Sequence, residues 1–184
     1  MSQALSDDEV DERNHRAWVA AHNALRVGDV TTALSEAKSL DVWIFEKTEL
    51  LVLCADAILM KDAQVSVESL LNDATHLAGQ LTTLWQQADA LRQIGMSLTA
   101  LGKVERAREL FARGAQAGLS GEMQSLERGD VQGAVDSANS AKQIIWSLAK
   151  SGDKEDAMCL SAQIRNQYIR QICQQVLSQI DGPG

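Results

Sequence analysis

One short phrase is written more than once along this chain. Gly28-Asp29-Val30 is followed by Ala33 and Ala37, and Gly129-Asp130-Val131 is followed by Ala134 and Ala138. Weaker copies begin at Gly102-Lys103-Val104, with Ala107, and at Gly152-Asp153-Lys154, with Ala157. A glycine that ends one helix, a polar residue that caps the next, and small residues one turn apart within it are what closely packed antiparallel helix pairs require. Repeated, the phrase specifies a helical solenoid. A stacked array presents an extended surface and rarely a reaction centre, so the phrase points to a mode of use as well as to an architecture.

Composition supports the all-α reading. The chain has a single proline and one tyrosine, with 45% apolar and 23% charged residues, which suits helices and not strands. Its 184 residues fit one domain with a continuous core. The longest apolar stretch, Leu50 to Met60, is about half of what a bilayer needs and contains Asp56. With no basic, apolar leader at the amino terminus, the expected location is the cytoplasm. Cys54, Cys159 and Cys173 have no metal-type spacing and read as reduced thiols serving as small apolar groups. A net charge of -8 argues against nucleic acid and anionic lipid as partners. Asp7, Asp8, Glu9, Asp11 and Glu12 concentrate part of that charge, and residues 1–12 read as an acidic disordered tail.

From there a single helical-repeat domain is expected over 13–180, with 181–184 as a second tail. Arg13 to Val27 reads as a helix with Trp18, Ala21 and Leu25 inward, and Asp29 caps the next, Val30 to Leu40. Asp41 is placed to cap a helix from Val42 to Met60. Lys61-Asp62 stands in for the glycine turn before a helix from about Ala63 to Ala78. Thr82 or Thr83 starts a helix to Leu101, and Val104 to Ala117 is its partner. Gly118 and Gly121 then read as a break before a short helix, Glu122 to Arg128. Val131 to Ser151 and Lys154 to Ile180 are each one helix or two. The turns lie 33, 41, 27 and 23 residues apart, so the carboxy-terminal third must pack irregularly.

Ala88 to Gly121 is the clearest copy, and it resembles a tetratricopeptide repeat. Leu91, Ile94, Gly95 and Leu98 on its first helix, then Ala107 and Phe111 on its second, occupy the positions where that family alternates large and small packing residues. Physically, Gly95 and Ala107 let two helices approach while the larger four fill the space around them. The first copy uses Ala21 and Ala33 at the small positions. The run of Gly-Asp, two alanines and an extended helix is also similar to degenerate bacterial repeats found alongside the HEAT type. The resemblance implies a right-handed α-α superhelix, a solenoid of antiparallel pairs, whose concave groove is lined by each pair's first helix and holds a peptide or helix. Projected onto this chain, the groove carries His15, Trp18, Val19, His22 and Arg26, then Leu51, Val52, Ala55 and Leu59. Further along it carries Asp89, Arg92, Gln93 and Met96, and near the end Lys142, Gln143, Trp146 and Lys150. Where some family members place asparagines that grip a terminal carboxylate, this chain has His22, Ala55, Met96 and Trp146.

Trp18 and Trp146 are the strongest candidate anchors, because tryptophan buries much area at little entropic cost. Lys142 and Lys150 lie one turn to either side of Trp146. Leu50 to Leu59 is apolar all round, so it is expected to be buried between neighbours, the alternative being a face partly exposed to a partner or a second copy of the chain. His15 and His22 are two turns apart, roughly 10 Å by helix rise, too far for one metal to bridge. Ser35 with Lys38, and Ser147 with Lys150, match the Ser-x-x-Lys pattern of some acyl-transfer enzymes without a companion base or oxyanion loop. Gly95 to Lys103 has the wrong spacing for a phosphate loop. The expectation is a non-catalytic protein-binding module with no cofactor and no metal, acting as a monomer or a homodimer. An alternative is a small cytosolic chaperone for an exported or aggregation-prone client.

Overall fold

The computed structural model describes residues 6–60 and 64–180, and the side chains of 64–66 lie outside that description. Among the described residues there are nine α-helices and no strand. Their contacts gather into two compact units, Met1–Gln80 and Leu81–Gly184, where the sequence pattern predicts one domain. The expected turn at Lys61-Asp62, residues 1–5 of the expected tail and the whole of 181–184 lie outside the described residues.

The repeated phrase turns out to be a two-residue helix turn. Gly28, Gly102, Gly129 and Gly152 all have positive φ, between 74° and 99°, which only glycine adopts without strain. The residue after each glycine then closes the preceding helix through its backbone N–H. Asp29 N donates to Ala24 O at 2.9 Å, Lys103 N to Leu98 O at 2.8 Å, Asp130 N to Ser125 O at 2.8 Å, and Asp153 N to Leu148 O at 3.3 Å. In three of the four copies the same residue caps the next helix, with Asp29, Asp130 and Asp153 accepting from the amides of Thr32, Gly133 and Asp156. Lys103 has no oxygen to offer and makes no such bond.

The first unit holds α1 (Asp7–Arg26), α2 (Val30–Ser39), α3 (Ile44–Leu59) and α4 (Gln64–Ala78). Each helix packs on the next, and α1 also packs on α3. Helix α1 begins well before its expected start at Arg13. Ser6 and Glu9 form a reciprocal capping box, and Asp7, Asp8 and Glu9 sit at the positive pole of the helix. Residues 7–12 are therefore helical and not part of a disordered tail. Asp41 does not cap α3. Its carboxylate pairs with Arg13, its backbone N donates to Asn14 Oδ1 at 3.1 Å, and α3 starts after Trp43 with no side-chain cap. Leu51, Val52 and Ala55 are buried, which removes them from the expected groove. Leu50 and Cys54 are fully buried beside them, so the apolar surface of α3 is core over much of its girth.

The second unit holds α5 (Leu84–Ala100), α6 (Val104–Glu127), α7 (Val131–Lys150), α8 (Lys154–Ser161) and α9 (Gln167–Gln179). Here α5 packs on α6 and α7, α7 on α6, α8 and α9, and α6 on α8. Gly118 and Gly121 break nothing: α6 runs through both, and they serve close approach instead. A Cβ on Gly118 would lie 3.0 to 3.1 Å from Ala141 Cβ, Cα and N, and one on Gly114 would lie 3.2 Å from Ala88 O. Gly95 on α5 faces Phe111 on α6, where a Cβ would meet Phe111 Cε1 at 2.5 Å. Of the large-and-small alternation read from Ala88 to Gly121, Gly95 and Phe111 meet across the two helices, and Leu91, Ile94, Leu98, Ala107 and Phe111 are all buried. Because Ala107 has no exposed surface, Ala107→Leu is expected to cost about 1 to 3 kcal/mol by overpacking. Urea unfolding followed by circular dichroism measures this, and a neutral result would take Ala107 out of the helix contact.

Candidate partner-binding surfaces

In the first unit, three of the residues expected on the groove side of α1, His15, Trp18 and His22, form a cluster of rings. Trp18 stands between two histidines, with His15 stacked at 6.3 Å between centroids and His22 edge-on at 4.4 Å. Trp43 joins from the chain just before α3, edge-on to His15 at 6.1 Å, and its indole N–H donates to Asp11 Oδ1 at 2.8 Å. Spacing explains the first two contacts, since residues three and four apart share a helix face. Trp18 Nε1, His22 Nε2 and Asn14 Nδ2 are buried without a hydrogen-bond partner among the described residues. Trp18 thus turns its polar edge inward, and it and His22 are half-buried while His15 and Arg26 are exposed. His15 and His22 each lie against an indole, and among the described residues no group of three or more His, Cys, Asp or Glu is placed to hold a metal ion.

In the second unit, α5 carries a polar ladder in which each member is engaged. Arg92 Nη2 pairs with Asp89 Oδ1 at 2.8 Å, Gln93 Nε2 donates to Asp89 Oδ2 at 2.7 Å, and Arg92 Nη1 lies 3.3 Å from Met96 Sδ. Arg92 is held by a carboxylate of its own helix, and Met96 is 52% exposed beside it. On α7, Lys142 Nζ sits 5.3 Å from the Trp146 ring centroid and donates to Asn139 Oδ1 at 3.0 Å. Trp146 is half-buried, with its Nε1 buried and lacking a hydrogen-bond partner among the described residues, while Lys150 is exposed in the last turn. Ser147, one of the two serines at Ser-x-x-Lys spacing, donates its hydroxyl to Gln143 O at 3.2 Å.

Sequence reading identifies Cys173 of α9 as a small apolar thiol but does not place it beside Trp146 and Lys142, where the fold brings it. Burial pushes its thiol up to about 11, while the Trp146 N–H and the Lys142 charge pull the other way. The N–H faces the sulfur without reaching hydrogen-bond geometry, so it opposes the burial effect and does not cancel it. Burial alone raises Cys54 to about 11 in the first unit. Both are protonated, unreactive thiols at neutral pH. Trp18, His22 and Arg26 therefore belong to one unit, and Arg92, Met96, Lys142, Trp146 and Lys150 to the other. Within the second unit, two local groups form, Arg92 with Met96 and Lys142 with Trp146. No helix among the described residues is long and apolar enough to cross a membrane. Comparison with family models gives no match, and no curated protein matches the chain.

Proposed function

We propose that this chain is a cytoplasmic helical-repeat interaction module, without chemistry of its own, that holds an extended or helical segment of a partner protein. On this reading the hairpins within each unit are degenerate tetratricopeptide-like repeats. Within each unit they stack in that family's right-handed sense, and in the second unit the first helices α5, α7 and α9 face the bound segment. The pattern of neighbours supports it: first helices pack on first helices in α1 with α3, α5 with α7, and α7 with α9.

The observation that carries the binding role is Trp146 on α7. Its ring is anchored by a buried N–H edge, remains half-exposed, and has Lys142 over it. An indole pre-ordered in this way offers apolar area at little further entropic cost, and the adjacent cation favours an acidic residue in the bound segment. The test is selection of peptides from a displayed library on the full chain, with affinities then measured on Trp146→Ala and Arg92→Ala. Truncating Trp146 is expected to weaken the selected peptides about tenfold or more with helicity unchanged, and Arg92→Ala to weaken them less. Unchanged affinity in both folded variants would place the binding surface elsewhere.

A further inference from the structure

The second unit contains a hollow of about 590 Å³ that the partner-binding reading does not use. It lies between the start of α5, the end of α6 and the first half of α7. Leu84 and Trp85 are among its lining residues, but most of the rest are small or polar. Five of them are hydroxyl residues, Thr82, Thr83, Ser125, Ser137 and Ser140, and Gln124 adds an amide.

Not all of these groups are engaged within the protein. Ser137 is only 4% exposed, yet its hydroxyl finds no hydrogen-bond partner among the described residues and lines the hollow. The oxygen itself is not buried, so it opens into the hollow and is free to pair with a molecule that enters. Thr83 precedes α5 without a side-chain cap bond, so its hydroxyl does not claim the first-turn N–H groups of that helix. Charge in the lining is close to balanced. Arg128 opposes Asp130, whose carboxylate is engaged at the start of α7, and Asp136, which accepts from Gln132 at 2.9 Å. Such a lining has no cationic surplus for a phosphate and no carboxylate cluster for a metal. It offers many neutral donors and acceptors, and Trp85, 48% exposed, supplies an aromatic surface at its edge.

We propose that this hollow binds a neutral, polyhydroxylated small molecule, a hexose or a disaccharide of hexoses. The sugar hydroxyls would pair with Ser137, Gln124 and the first-turn amides of α5, while the apolar C–H face of the ring lies on Trp85. The volume is in the range of small-ligand sites. The site is independent of the surface around Trp146.

The test is titration of the isotope-labelled chain with glucose, galactose, mannose and maltose, read out by amide chemical shifts. Glycine and inorganic phosphate serve as charged comparators. The expected result is saturable shifts with at least one sugar at the start of α5 and around Ser137, and none with phosphate. Ser137→Ala removes one hydroxyl from a helix that tolerates alanine and is expected to weaken the sugar about tenfold. Trp85→Ala should weaken it at least as much, with both variants shown to be folded by circular dichroism. Absence of saturable shifts with every sugar would overturn the proposal. So would binding indifferent to both substitutions, or saturation by glycine or phosphate alone.

Discussion

Gly118→Leu is expected to remove the packing of α6 on α7 and cost at least about 3 kcal/mol. The position leaves no room to give, because the atoms that a Cβ would meet at 3.0 to 3.1 Å include Ala141 Cα and N. A rotamer change relieves contact with the end of a flexible side chain, but two backbone atoms move only if the helices separate. Separation exposes the surface they share, where Gly118 lies against Ala141, Gly114 against Ile144 and Gly121 against Ser137. Gln116, two residues earlier and exposed, supplies the control, since Gln116→Leu should change stability by no more than about 0.5 kcal/mol. Urea unfolding of both variants decides the matter. Equal stabilities would mean that α6 and α7 do not meet at Gly118.

That contact also shows where a sequence stops being legible. Glycine has two uses, a left-handed turn and a close approach, and a local reading distinguishes them only by the residue type that comes next. Gly28, Gly129 and Gly152 precede an aspartate that caps a helix, and this marks them as turns. Gly118 and Gly121 precede no cap, and with Gly114 they recur at helical spacing along one face of α6. That spacing is the available signal for continuity. The start of α1 is legible in the same way, because Ser6 and Glu9 stand at capping-box spacing, but the run of acids around Glu9 resembles a tail and masks it. Asp41 is not legible: whether it caps α3 depends on Arg13 and Asn14, 28 and 27 residues away. The same division runs through the candidate surfaces. Lys142 with Trp146, Arg92 with Met96, and Trp18 with His22 are four apart on one helix and can be inferred from spacing. Cys173 beside Trp146 and Trp43 beside His15 join separate helices or segments, and only the fold brings them together.

Glu122→Ala is expected to cost about 2 to 5 kcal/mol and to open the connection between α8 and α9. Glu122 is 1% exposed near the end of α6, yet its carboxylate is spent on backbone alone. Oε2 accepts from Arg165 N at 3.0 Å and Oε1 from Asn166 N at 2.6 Å. Asn166 in turn caps α9 through Ile169 N at 3.1 Å, so one carboxylate fixes both the connection and the helix after it. Alanine leaves two amides without their acceptor, each worth about 1 to 3 kcal/mol if it stays buried. The connection can recover part of this only by turning the amides to water, and that movement exposes the peptide bond after Arg165 to trypsin. Two readings should therefore change together, a lower urea midpoint and faster cleavage at Arg165. Glu122→Gln separates charge from shape. Its oxygen can still accept from Asn166, but its NH₂ then confronts the Arg165 amide donor to donor, so less than half of the lost stability should return. A Glu122→Ala chain as stable and as resistant to trypsin as the parent would show that the carboxylate does not hold this turn.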